Sequence, residues 1–304
     1  MPKYLKGMLL IIVVVFVVVR CNKKEDKMSN QTISTGELTV IADESLTPII
    51  EEQIAVYEND YDAKINLVSK SETEVMNALL KDSINVAILS RQLTKIEIDA
   101  FKKKKINPSV TAFATDAITL IRNKKDTDSL VALNDVLDFL RGKEVSTIRG
   151  LVFDNPNSST ARHLNELAGL KSSSQKNIFS FNTNLEAIKY VAENDGMIGV
   201  VGLNWIMQPS AETREFTNKV VVLSVKGLNS SNYISPTQNN IAEGKYPLAR
   251  DLFIVNCQGF SGLGTGFTTF IAGDRGQRII LKSGLLPIRM PGRKVVVRNS
   301  INKK

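Results

Sequence analysis

The sequence predicts an α/β fold, and three observations carry that prediction. Short apolar runs of strand composition alternate with amphipathic runs at helical spacing. Pro48, Gly142 and Gly169 stand where one kind of run gives way to the next. Helical stretches separate the first four apolar runs, and the order βαβαβαβ implies a parallel sheet with right-handed crossovers.

The elements follow in order. A strand at 38–41 runs into a turn at Asp43, Glu44 and Ser45. Thr47 and Pro48 open a helix that reaches 59, and Pro suits a first helical turn. A second strand spans 64–68. The helix at 72–81 puts Val75, Ala78 and Leu79 on one face. The apolar strand 86–89 ends in Ser90 and Arg91. A basic helix at 94–105 and a long strand at 110–122 around Asp116 complete this block.

The second block repeats the alternation. A helix at 130–140, closed by Gly142, precedes a strand at 150–153. A polar loop at 155–159 leads to a helix from Ser158 to Ala168, stopped by Gly169. A helix at 184–193, a strand at 197–201, a short helix holding Trp205 and a strand at 219–225 follow. The stretch 227–240 reads as loop. A strand at 251–255, helical runs at 267–272 and 276–282, and a strand at 294–298 finish the chain. The glycine-rich 262–266 lacks the Lys-Ser/Thr of a phosphate loop and reads as the start of a helix.

Composition narrows the function. The 304 residues are 43% hydrophobic and 23% charged, enough for one large domain or two smaller ones. The net charge of +8 is partly due to Lys3, Lys6 and Arg20 at the start. The lysines at 102–105 read as a solvated face, so no nucleic-acid partner is expected. One histidine and two cysteines argue against a Cys/His metal centre, and no cofactor motif is found. His163, in a first helical turn, is expected to face solvent.

Residues 1–20 read as an export signal, with Lys3 and Lys6 before an apolar run at 8–19 that is too short to span a bilayer comfortably. Cys21 follows at once, and a polar tether fills 21–35. This resembles a bacterial lipoprotein leader with Cys21 as the lipidated residue. Val18 and Arg20 depart from that family's preferred Leu and small residue. Either a lipid anchor or an uncleaved leader places the globular part in the periplasm or cell envelope.

Three strand ends carry hydroxyls where helices begin: Ser45 with Thr47, Ser90 with Arg91, and Ser158 with Ser159 and Thr160. Ligands of open α/β sheets sit at the carboxyl ends of strands. Helix N-termini offer unpaired N–H groups and partial positive charge to anions. Hydroxyl, amide and guanidinium donors converging there suit a tetrahedral oxyanion, and no nucleophile–base pair accompanies them. Binding is therefore expected rather than catalysis.

These residues bring a family with them. The chain resembles the phosphate-binding, substrate-capturing subunits of bacterial ABC importers and their lipoprotein relatives, over roughly residues 37–286. The carriers are ADESLTPI, AILSRQL with Glu97, TDAITLIRN, NSSTARHLNE, MIGVVG and IAEGKYPLARDLFIV. The resemblance implies a two-lobed fold of periplasmic-binding-protein type II with two hinge crossings. It implies lobes of 36–115 plus 229–304 and of 116–228, crossing near Asp116 and near 226–229. It further implies a monomer that holds inorganic phosphate between the lobes and docks on a transporter permease.

The implied phosphate contacts are Ser45, the amide of Leu46, Ser90, and the triplet Ser158, Ser159 and Thr160. Ser159 stands where the family has Gly. An Arg usually precedes the triplet, whereas this chain has Asp154 in that stretch; Arg91 or Arg162 could replace it. Asp116 is the first candidate to accept phosphate's O–H, ahead of Asp43 and Asp154. Another oxyanion, a small organic acid, or a surface or sensor lipoprotein that has lost its ligand remain open, and a phosphohydrolase is the weakest alternative.

If Cys21 carries the anchor, Cys21→Ala leaves the protein unprocessed or releases it from the membrane, since stable attachment needs more than one acyl chain. Mass spectrometry and membrane partition of wild type and variant check this. Unchanged mass and partition would refute it.

Overall fold

The computed structural model describes residues 31–172 and 176–292. The leader, Cys21, most of the tether and the strand expected at 294–298 lie outside the described residues.

The long strand β4 (Ser109–Asn123) organises the architecture. Before it come β1 (Thr35–Asp43), α1 (Thr47–Asp60), β2 (Asp62–Lys70), α2 (Glu72–Leu80), β3 (Val86–Leu89) and α3 (Lys95–Lys103). After it come β5 (Leu130–Ala132), α4 (Leu133–Leu140), β6 (Gly150–Phe153), α5 (Ser159–Ala168), β7 (Ile178–Ser180), α6 (Asn184–Glu193), β8 (Met197–Gly202), α7 (Leu203–Met207) and α8 (Ala211–Thr217). The chain continues through β9 (Val220–Val222), β10 (Ser224–Lys226), β11 (Tyr233–Ile234), α9 (Gln238–Ala242) and β12 (Ala249–Asn256). It ends in α10 (Leu263–Ala272), α11 (Asp274–Lys282) and β13 (Leu286–Pro287).

The main sheet runs β2-β1-β3-β12-β4-β8-β6-β7. β1 lies parallel between β2 and β3, as the βαβ pattern requires. The expected all-parallel sheet ends there. β12 is inserted antiparallel between β3 and β4. The fourth strand keeps the direction of β3 but touches a strand from the far end of the chain. Local periodicity carries no information about such a non-local neighbour.

β4 changes partners along its length. Residues 109–117 pair with β12, and Ile118–Arg122 pair with β8. The sheet thus has a first half (β2, β1, β3, β12) and a second half (β8, β6, β7), joined through one strand. β3 and β6 are buried along their whole length, which explains their uninterrupted apolar sequence. One core packs α2 and α3 residues such as Leu79 and Phe101 against Ile41 and Leu89 of the first half. Another packs Ile188 and Val191 of α6 against Ile121 of β4 and Val152 of the second. Each fully buried side chain of this kind contributes about 1.5–3 kcal/mol.

Helix ends follow sequence rules. Ser71 with Glu74 and Thr94 with Glu97 form capping boxes, and Gly169 closes α5 in the left-handed conformation at φ 70°. Several expectations need correction. Residues 130–132 are strand rather than helix, because they pair with β10 in a small second sheet. The single strand expected at 219–225 divides between β9 on β4 and β10 on β5. β11 and α9 begin inside the expected loop, and α8 and β7 had no sequence counterpart.

Gly202 ends β8 against the first-half turn: a Cβ there would stand 2.6 Å from the Ser45 carbonyl oxygen. Gly202→Ala should therefore destabilise the protein by about 1–3 kcal/mol, the usual range for overpacking. Denaturant unfolding of the variant beside wild type measures it.

Candidate functional site

The polar groups gather where the carboxyl ends of β1 and β6 face each other across β4. At the end of β1, Asp43 caps a short 3-10 turn, Glu44–Leu46. At the end of β6, Ser158 is the N-cap of α5 and accepts from the Ala161 amide. Between them stands Arg250, on β12 directly opposite Asp116 of β4.

Arg250 is 5% exposed and Asp116 is fully buried. Its Nη2 and Nε donate to Asp116 Oδ2 at 3.0 and 3.3 Å. Nη1 donates to Ser159 Oγ at 2.6 Å and Nη2 to Ser45 Oγ at 3.0 Å. The two hydroxyl oxygens lie 3.2 Å apart. One guanidinium therefore links a first-half hydroxyl, a second-half hydroxyl and the β4 carboxylate. Asp116 Oδ1 is buried with no hydrogen-bond partner.

Asp43 lies beside this group. Its Oδ1 accepts from the Ser45 amide at 2.9 Å, and its Oδ2 from the Ser159 amide at 3.1 Å. Burial raises its pKa, Arg250 works against that, and Glu72 adds to it. Burial likewise raises Asp116, with Arg250 opposing.

The triplet at α5 divides. Ser159 faces Arg250, but Ser158 and Thr160 donate to Asp154 Oδ1 at 2.7 and 2.5 Å. Asn184, at the start of α6, bridges two acids: its Nδ2 reaches Glu44 Oε2 at 2.5 Å and Asp154 Oδ2 at 3.1 Å. Burial, with the neighbouring Asp43, pushes Asp154 up to about 6. Burial and the charge of Asp154 push Glu44 up to about 8. Asn204 and Trp205 of α7 donate to the Ser45 and Glu44 carbonyls at 3.0 and 3.3 Å, tying β8 to the first-half turn.

A third cluster forms between α2, the end of β3 and α5. Glu72 of α2, 3% exposed, accepts from Arg91 Nε at 2.9 Å and from Arg162 Nε at 2.7 Å. Ser90 Oγ donates to Glu72 at 3.3 Å, and Arg91 makes a two-pronged pair with Glu97.

The structure thus brings Ser45, Ser159 and Asp116 together, with the buried Leu46 alongside in the same turn. Ser158 and Thr160 serve Asp154, and Ser90 and Arg91 belong to the Glu72 cluster. Arg250 was missed. Its only signal was a charged pair, Arg250–Asp251, at a strand start, where alternation forces one of the two inward. His163 corrects an expectation: it is half-buried, and burial with the charges of Arg250 and Arg162 holds it down to about 4. Cys257 is a buried free thiol pushed up to about 11 by burial. Among the described residues no group of three or more His, Cys, Asp or Glu could hold a metal ion, and no helix is long and apolar enough to cross a membrane.

A mixed α/β chain in two lobes, with polar groups converging on their junction, has the architecture of the periplasmic-binding-protein type. The chain belongs to the PBP superfamily: the model of the PBP superfamily domain matches residues 29–275. The phosphate-binding protein PstS of Borreliella burgdorferi is 25% identical over 280 residues, covering 86% of this chain and 91% of that protein. A structure from Clostridium perfringens, described as a phosphate ABC transporter substrate-binding protein with bound phosphate, superposes with a TM-score of 0.68 at 18% identity, covering 84% of this chain and all of that one. An ABC-type phosphate transport receptor from Vibrio cholerae gives 0.62 at 17% identity, over 83% of this chain and 100% of that one.

The raised carboxyls set a pH dependence. In the folded chain Glu44 holds its proton to about 8, whereas the free side chain releases it near 4.5. Between those values the unfolded state binds fewer protons, so stability falls as pH rises. Glu44→Gln should raise the unfolding midpoint at about pH 8, and the gain should vanish towards pH 4.5. Thermal melts across this range check both ends.

Proposed function

We propose that this chain captures inorganic phosphate outside the cytoplasm and delivers it to the permease of an ABC importer. One observation carries the proposal: the buried Arg250 guanidinium sits between Ser45 and Ser159, hydroxyls from the two halves of the sheet, beside the amides that begin the first-half turn and α5. Such convergence gives a tetrahedral oxyanion donors from several directions. The names carried by similar proteins supply phosphate and the ABC transporter.

On this reading the phosphate contacts are Ser45, the Leu46 amide, Ser159 and Arg250. Ser90, Arg91, Ser158 and Thr160 support the rim, and Asp116 positions the arginine. The lobes are 36–115 plus 229–304 and 116–228, a division supported by the change of β4 partners between Ala117 and Ile118. Closure around the anion would use the crossings at Asp116 and at 226–229. The protein acts as a binding protein rather than an enzyme, works as a monomer, and is held at the membrane through Cys21.

A second reading is favoured by the carboxylates. Asp43 already takes two of the amides, and Asp154 lies in the stretch where the family resembled in sequence carries an arginine. This reading is a surface or sensor lipoprotein that kept the fold and lost the ligand.

Calorimetry with phosphate, sulfate and buffer alone separates the two. Phosphate binding that weakens about tenfold or more in Ser159→Ala is expected from the loss of one hydroxyl to a charged ligand. Wild-type protein that binds neither anion would favour the second reading.

A further inference from the structure

Asp43 makes the contacts that an incoming oxyanion would make. One carboxylate oxygen takes the Ser45 amide and the other takes the Ser159 amide, one from each half of the sheet. The hydroxyls of the same two residues point instead to Arg250. The carboxylate is fully buried. Its position is that of a bound anion supplied by the chain itself.

We propose that Asp43 is a built-in occupant of the oxyanion cradle, and that an external oxyanion enters by taking over the Ser45 and Ser159 amides while Asp43 takes up one proton from solvent. The inference uses the phosphate reading only for its choice of probe.

Charge enforces the proton. Asp43 is faced by Glu44 in its own turn, Glu72 on α2, Asp116 on β4, Asp154 at the end of β6 and Arg250 on β12; on α5, Arg162 and His163 interact with Glu72 instead. Glu72 is held by Arg91 and Arg162. His163 is neutral at ordinary pH. Arg250 therefore stands as the cation among Asp43, Asp116, Asp154 and Glu44. A further anion beside an ionised Asp43 would place two negative charges on one pair of amides. Protonation removes that conflict and turns the carboxyl into a donor toward a ligand oxygen. Asp43 is the suited acceptor of that proton, because it also acts on Glu44, Asp116 and Asp154, whose ionisation its charge opposes.

The test is calorimetric titration of inorganic phosphate into wild type, Asp43→Asn and Asp43→Ala. Each is measured between about pH 5.5 and about 8.5 in two buffers of different ionisation enthalpy. Phosphate's own proton exchange is common to all three proteins and drops out of the difference between them. Wild type should take up about one proton more per phosphate than either variant, and its affinity relative to theirs should fall by about tenfold per pH unit on the alkaline side. At about pH 8 the variants should bind at least about tenfold more tightly than wild type.

Wild type that binds phosphate with the same proton uptake as a folded variant overturns the proposal and leaves the phosphate reading standing. Variants that stay folded by circular dichroism yet bind more weakly do the same. Wild type that binds no phosphate at any pH, beside a variant that does, ends the phosphate reading for the natural chain and supports Asp43 as occupant. No binding by wild type or by either folded variant overturns both.

Discussion

A guanidinium that cannot lose its charge, placed almost wholly out of water, constrains everything near it. Arg250 is such a group, and taking it from solvent costs several kcal/mol before any partner is found. Asp116 answers it from the neighbouring strand, in direct register. Removing either partner would leave a buried unpaired charge, a loss of about 3–5 kcal/mol. The register of β12 on β4 is thereby fixed at the point where β4 is about to change partners. The serine hydroxyls complete the shell around the arginine, and they come from elements far apart in the chain. A pairing between two strands thus also decides how the β1 turn meets α5.

The acids around this arginine outnumber it, and apart from Asp116 hydrogen bonds from neutral groups keep them in place. Asp43 uses backbone amides, Asp154 uses two hydroxyls and a side-chain amide, and Glu44 shares Asn184 with Asp154. Burial and the neighbouring carboxylates raise Asp154 and Glu44, and these neutral donors offset that only in part. The Glu72 cluster differs. There two arginines face one buried carboxylate, so cations hold it directly.

What could be read from the sequence divides along physical lines. β3 and β6 were legible because complete burial writes itself as an unbroken apolar run. The start of α5 near Ser158 was legible because helix ends are set by local chemistry within about four residues. Ser45 and Ser159 were named, and the structure brings them together. The insertion of β12, the three-residue strands β5 and β10, and the split of the Ser158–Thr160 triplet were not legible. Each depends on a partner distant in sequence. Arg91 and Arg162 looked available as oxyanion ligands because each follows a hydroxyl at a helix start, yet both are committed to Glu72. Arg250 was inside a quoted run and still passed unnoticed, because a single charge beside another in a strand does not announce which one turns inward.

The bond from Trp205 to the Glu44 carbonyl has a practical consequence. Trp205 is the chain's only tryptophan. Its indole N–H joins α7 to the turn that follows β1. Tryptophan emission moves to longer wavelength when the indole meets water. The unlabelled protein therefore carries one optical probe, placed where α7 meets the turn after β1, and no second indole blurs its signal. Stopped-flow emission can follow any change at that contact directly, with no dye attached and no residue changed.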